Sequence, residues 1–343
     1  MPTEPAVLSR PSASEIASWI LLGLGLLLVL QLHLLAALVG GLAVYELIHI
    51  LARKLRFRAV GGRERRKFLA VTLLAAAIIA ALVFTILGLI AFFRSEQGNL
   101  PALLAKMADV LDSSKEQLPA WLADELPDNA DELKNEGVAW LRAHAGALQS
   151  FGADVGRTFL HILVGMIIGA MVSLNETREP RPRGPLAQAL TERAGRLGEA
   201  FRRIVFAQAR ISALNTALTA IYLVVVLPLF GVKLPFTKTL VVLTFVTGLL
   251  PVVGNLISNT VIVVVSLSHS LGAALGSLGF LVGIHKLEYF VNARIVGTEI
   301  QARAWELLLV MLAMEAAFGI AGLVAGPIYY AYVKLELADR GLI

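Results

Sequence analysis

The chain has 343 residues, of which 57% are hydrophobic and only 16% charged, and its mean hydropathy is +0.75; soluble domains sit near about 45–50% apolar and 25% charged. That composition excludes a water-soluble protein and leaves no room for a large soluble enzyme domain, because seven or eight spans at about 20 apolar residues each would take about 140 to 160 residues. The formal charge of +5 does not point to nucleic acid, since the basic residues flank apolar runs and form no binding motif, as in proteins oriented across a bilayer.

The first apolar run, Ile16 to Leu32, is followed at once by a second, Leu34 to Leu51, which predicts a helical hairpin. No polar mature sequence follows the first run, so it reads as a retained span rather than a cleaved signal peptide. Next come Arg53, Lys54, Arg56, Arg58, Arg63, Arg65, Arg66 and Lys67 against the single acid Glu64. Such an excess in a short loop places it, and with it the N-terminus, in the cytoplasm. A third span, Phe68 to Phe93, closes a three-span region over residues 1–93.

Residues 94–156 carry more acids than cations, among the acids Asp109, Asp112, Glu116, Asp124, Glu125, Asp131 and Glu132, and read as extracytoplasmic. Leu103, Met107, Val110 and Leu111, and again Val138, Leu141, Ala145 and Leu148, recur at helical spacing, with Pro119 and Pro127 as breaks. This predicts a small amphipathic cap with a solvated acidic face; its acids lack metal-ligand spacing. A fourth span, Thr158 to Leu174, leads to a stretch with Arg193, Arg196, Arg202, Arg203 and Arg210, so that residues 157–204 read as a span plus a cytoplasmic amphipathic helix. Leu197, Phe201, Ile204 and Val205 form its apolar face, expected to lie on the inner membrane surface ahead of a fifth span from Ile211 to Phe230.

The C-terminal region, 205–343, behaves differently. Between Thr239 and Ser268 the apolar run contains Gly248, Pro251, Gly254 and Asn255. Proline removes a backbone donor and clashes with the preceding turn, so the helix should break there. A second run, Glu306 to Tyr332, contains Glu315, Gly319, Gly322 and Pro327. Unsatisfied backbone in hydrocarbon is tolerated only where protein or a water-filled cavity receives it. A pair of interrupted segments is therefore the sequence pointer to a transporter's binding site. Glycines four apart at Gly165 and Gly169, and at Gly272, Gly276, Gly279 and Gly283, read as close helix packing.

The fold class expected is all-α, with about eight membrane segments, two of them broken or re-entrant. The order of Pro251-Val-Val-Gly254, then Glu288-Tyr-Phe-Val-Asn292-Ala-Arg294, then Phe318-Gly319-Ile-Ala-Gly322 through Pro327 resembles the AI-2E family of bacterial transporters, also called the autoinducer-2 exporter or PerM-like family. Gln208 is similar to that family's recurring Gln. The chain departs from the family pattern at Ala293, at Ser258 to Thr260 and at Arg303 to Trp305. The resemblance implies a bacterial inner-membrane secondary transporter that exports a small polar solute such as autoinducer-2, or exchanges sodium or lithium for protons. It also implies a homo-oligomer, with pentamers among the family's assemblies.

Glu315 is the first functional candidate, because a carboxylate at membrane depth costs about 2.5–3.5 kcal/mol on insertion scales. It either binds a proton or cation coupled to transport or, neutral or paired, locks two helices. Asn255 and Asn292 offer both donors and acceptors to a polar solute. Gln208 and Asn215 line the same cavity or bond between helices. Lys286, Glu288 and Arg294, on the polar connection between the broken segments, read as solute contacts or a gate salt bridge. Glu46 and His49 read as an i, i+3 pair. No cofactor is implied and no metal-ligand spacing is present. A membrane enzyme would need a nucleophile or metal motif that the sequence lacks. The remaining alternative is a non-transporting scaffold that binds an envelope partner through residues 94–156.

Overall fold

The computed structural model describes residues 11–56, 63–94, 135, 139, 142–176, 183–250, 253–300 and 302–343; within them it is all-α, with no strand. Pro251 and nearly all of the acidic segment, including Leu103, Met107, Val138 and Leu141, lie outside the described residues. Among the described residues, five helices are long and apolar enough to cross a membrane: Ala13–Gln31, Leu35–Leu55, Ala145–Asn175, Pro185–Leu229 and Trp305–Asp339. Leu24, Leu28, Ile79, Ile167, Met171 and Leu312 are each more than half exposed. Outward apolar side chains at this density fit a lipid-facing surface. The molecule is a polytopic membrane protein.

Helix α1 (Ala13–Gln31) starts from a capping box: the Ser12 hydroxyl accepts the Glu15 N–H and the Glu15 carboxylate accepts the Ser12 N–H, satisfying two orphan donors. A tight turn, with His33 in the left-handed region at φ 57°, leads into α2 (Leu35–Arg56) and completes the expected hairpin. Helix α3 spans Arg63–Arg94. Helix α4, Ala145–Asn175, begins earlier than the sequence predicts. Its glycines seat it against α2: a Cβ on Gly165 would lie 2.0 Å from the Ala37 carbonyl oxygen, and one on Gly169 2.1 Å from that of Gly41. Backbones meet directly there, as small residues four apart allow.

Helix α5 (Pro185–Ile221) continues through a π-helical turn, Tyr222–Val226, into a last α-helical turn, Leu227–Leu229. The expected surface helix and fifth span are thus one rod. No proline interrupts it between Pro185 and Pro228 in its last turn, and its apolar face is taken by protein rather than by a membrane surface: Leu197, Phe201 and Ile204 are buried in one cluster with Leu26, Ile328 and Tyr332. Then follow α6 (Thr237–Gly248), α7 (Val253–Leu267), α8 (Leu271–Ile300) and α9 (Ala304–Asp339). The α8 glycines correct a second expectation. A Cβ on Gly272, Gly279 or Gly283 would meet nothing within 4 Å among the described residues, so there they seat no neighbouring backbone.

Where composition divides the chain consecutively at 93, 156 and 204, packing assembles two compact units from separated stretches. One comprises Met1–Ala80, Asp154–Phe206 and Val296–Ile343, the other Ala81–Ala153 and Ala207–Ile295. The first unit has apolar clusters around Leu26, Leu30 and Val44. The second has one around Tyr222, Leu240 and Ile262.

Candidate functional site

In the second unit the helix breaks where glycine and proline predict, and the chain turns back on itself. Helix α6 has 12 residues and α7 has 15, about 18 and 22 Å at 1.5 Å per residue. Neither alone reaches across a core of about 30 Å. Leu240 near the start of α6 shares a cluster with Ile262 and Val265 near the end of α7, so the legs run antiparallel. At the tip, a Cβ on Gly254 would lie 1.8 Å from the Thr247 carbonyl oxygen; only glycine permits that approach.

A helix that stops in an apolar setting leaves its last carbonyls without partners. Two polar side chains of α5 take them. Gln208 Nε2 donates to the Gly248 carbonyl at 2.8 Å and Ser212 Oγ to that of Phe245 at 2.7 Å. One turn on, Asn215 Nδ2 donates to Asn255 Oδ1 at 2.8 Å, and both asparagines are buried. Tyr222 Oη then reaches Ser277 Oγ at 3.0 Å, which meets Ser266 Oγ at 2.8 Å. Because Ser266 donates to the Ile262 carbonyl, the hydroxyl relay runs from Tyr222 through Ser277 to Ser266. Tyr222 opens the π-turn, a distortion frequent at functional sites.

Gln208, Ser212, Asn215, Thr219 and Tyr222 thus form a polar stripe at spacings of four and three along one face of the C-terminal part of the helix. The sequence reading found Gln208 and Asn215 and missed the rest. The same 3–4 spacing of polar residues through the Ile211 to Val226 run was available to find them.

The first unit contains the second break. Within α9, Gly319 has φ 61° and ψ −144°, a conformation essentially reserved for glycine. The leg before it and the leg after it fold together: a Cβ on Gly322 would lie 1.8 Å from the Met314 carbonyl oxygen, and one on Gly326 3.5 Å from the Met314 side chain. At the open end, Tyr330 Oη and Lys334 Nζ, the latter at 3.1 Å, donate to Glu306. Pro327 is buried in the returning leg, and Glu315 is exposed on the incoming one.

Lys286, Glu288, Asn292 and Arg294 do not lie on a connecting loop. They belong to the continuous helix α8, which has no proline to end it. Lys286 is exposed; the side chains of Glu288, Asn292 and Arg294 lie outside the described residues.

Two charged clusters in the first unit were not legible as such. Arg193, 1% exposed, lies 3.3 Å from Glu336, and Arg196 pairs with Glu336 and, at 2.9 Å, with Asp339. Trp19 donates to Glu336 at 3.3 Å, and its ring carries the Arg193 and Arg340 guanidinium groups 5.1 and 4.7 Å from its centroid. These contacts bind α1, α5 and α9. The second cluster extends the expected Glu46–His49 pair: His49 acts electrostatically on Glu46, while its ring nitrogens are taken by the Tyr45 carbonyl and by Glu176, tying α2 to the end of α4.

A curated protein or solved structure similar to this chain was not found. The family model of the AI-2E family transporters matches residues 16–338, nearly the whole chain and both helix breaks, and the chain belongs to that family.

Proposed function

We propose that this membrane transporter is a secondary carrier of a small polar solute, and that the solute is held at the broken helices. What supports the reading most is the tip of the α6–α7 hairpin, where a glycine-ended helix, Gln208, Ser212 and the Asn215–Asn255 pair bring amides and hydroxyls together inside an apolar bundle. Amide groups offer donors and acceptors at once and suit a polyol or carbonyl hydrate such as autoinducer-2, or the oxygen ligands of a sodium ion. Glu315, on the incoming leg of the α9 hairpin, is the group that binds a proton or cation coupled to transport. A single carboxylate that takes either a proton or a cation supplies the exchange an antiporter requires. Asn292 contributes to solute binding, Lys286, Glu288 and Arg294 to gating, and the carrier works as a homo-oligomer in the bacterial inner membrane, with the Arg-rich turn at 53–67 inside and residues 94–156 outside.

The test is flux in proteoliposomes, with autoinducer-2 and sodium offered separately against a proton gradient. Asn255→Ala should reduce flux at least about tenfold, the loss of about 1.4 kcal/mol or more in transition-state binding. Glu315→Gln should abolish its pH dependence. Flux and pH dependence unchanged in both variants would refute the reading.

A further inference from the structure

The polar stripe of α5 is flanked by one further hydroxyl. Thr216 follows Asn215 and lies one turn beyond Ser212, about 40° further round the helix. The residue is partly buried, but its Oγ1 is shut away from bulk solvent and has no hydrogen-bond partner. It is the single buried side-chain atom in that state among the described residues of the second unit. Buried polar groups are nearly always paired, and an exception calls for a reason.

The other hydroxyls of α5, α6 and α7 supply the contrast. A serine or threonine inside a helix commonly returns its proton to the carbonyl one turn back. Thr244 does so to Leu240, Thr247 to Leu243 and Ser266 to Ile262, each at 2.8 Å. Ser258 donates to the Asn255 carbonyl at 3.3 Å, and Ser212 spends its proton on Phe245. Each of these hydroxyls serves the protein's own backbone. Thr216 does not: its hydroxyl is turned off the Ser212 carbonyl and keeps both its proton and its lone pairs unspent.

We propose that Thr216 is a solute-contact residue, and that its missing partner is a hydroxyl of a neutral solute held beside the Asn215–Asn255 pair. The inference rests on the carrier reading above and adds to it a residue and a choice between the two kinds of solute. A sodium ion would engage Oγ1 through a lone pair and leave the proton unspent. A solute hydroxyl or carbonyl hydrate takes that proton and donates one in return, which uses the threonine completely. The groups nearest in the stripe point the same way: Gln208, Ser212, Asn215 and Asn255 carry no charge, so none of them neutralises a cation.

The test pairs autoinducer-2 flux in proteoliposomes with thermal unfolding of the same full-length variants in nanodiscs. Thr216→Val removes the hydroxyl and keeps the shape. Its KM should rise about fivefold, the size of one neutral hydrogen bond, with kcat little changed. Its unfolding temperature without solute should equal or exceed that of wild type, because no contact within the protein is lost. Thr216→Ser, which keeps the hydroxyl, should hold KM near the wild-type value, and Thr244→Val, whose hydroxyl is bound within its own helix, should leave KM unchanged. An unchanged KM in Thr216→Val would overturn the inference, as would a fall in its unfolding temperature, which would put the hydroxyl's partner in the protein itself. With Asn255→Ala still impaired, the carrier reading would survive either result. A wild type that moves sodium but not autoinducer-2 would also overturn the inference, and one that moves neither would defeat both.

Discussion

The two helical hairpins solve one problem in different ways. Each interrupts its helix, and each sets a glycine of the returning leg against a carbonyl of the incoming leg, Gly254 on Thr247 and Gly322 on Met314. The α6–α7 tip is clasped from outside: Gln208 and Ser212 of a neighbouring helix satisfy the carbonyls that the break frees. The α9 hairpin turns instead on the conformational range of Gly319 and is pinned at its far end by Glu306, Tyr330 and Lys334. A break in a membrane helix can thus be stabilised by borrowed donors or by backbone freedom, and the two should fail under different substitutions.

The largest effect should come from what the hairpins share. Gly254→Ala and Gly322→Ala each place a methyl 1.8 Å from a backbone oxygen, and should destabilise by about 3 kcal/mol or more, read as a fall in unfolding temperature of the purified protein. Gly279→Ala, with nothing within 4 Å, is the matched control and should shift little. An unchanged unfolding temperature for Gly254→Ala would mean that the legs do not meet as described.

Next comes the device peculiar to each hairpin. Gly319→Ala should cost about 1–3 kcal/mol through backbone strain alone, with no steric component. Gln208→Ala, which leaves the Gly248 carbonyl without its donor, should cost about 1–3 kcal/mol and raise proteolytic nicking at 249–252 while leaving the α9 hairpin intact. Equal cleavage of both hairpins in that variant would erase the distinction drawn between them.

The smallest effect concerns the Glu176 corner outside both hairpins. Burial pushes its carboxyl up, but hydrogen bonds from His49, Tyr45 and Lys67 overcome this and hold it at about 2 in the folded state, below the usual value of about 4.3. The stability it supplies is therefore present in full above that usual value and is lost as the pH falls through about 2. Glu176→Gln should reduce the difference in unfolding temperature between pH 5 and pH 3 relative to wild type. The opposite sign would exclude the hydrogen-bonded carboxylate.

How much of this was legible follows from the kind of signal involved. Both breaks were readable because glycine and proline act locally: Gly248, Gly254 and Gly319 sit where the helices end or turn. The family was readable from the order of short motifs around those breaks. The clasp was half readable; Gln208 and Asn215 stand out in an apolar run, whereas Ser212 and Thr219 look like ordinary helix residues until a partner carbonyl is known. Arg193 and Glu336 could not be paired from sequence, since 143 residues separate them and only the fold brings them together. The same holds for the hydrogen bond of His49 to Glu176, 127 residues away and just past the end of α4. The α8 glycines were misread because spacing shows that a close approach is possible, not that another helix makes one.

The central claim is that these hairpin tips meet water and solute within the membrane. Because the chain has no cysteine, single cysteines report without background. Leu250→Cys and Ile320→Cys, beside the two breaks, should react with a membrane-impermeant thiol reagent in sealed proteoliposomes and be protected by transported solute, while Leu24→Cys and Ile167→Cys on the lipid-facing surface should not react. Silence at both tips, under conditions where a cysteine in the Arg-rich turn at 53–67 labels fully from its own side, would contradict the account.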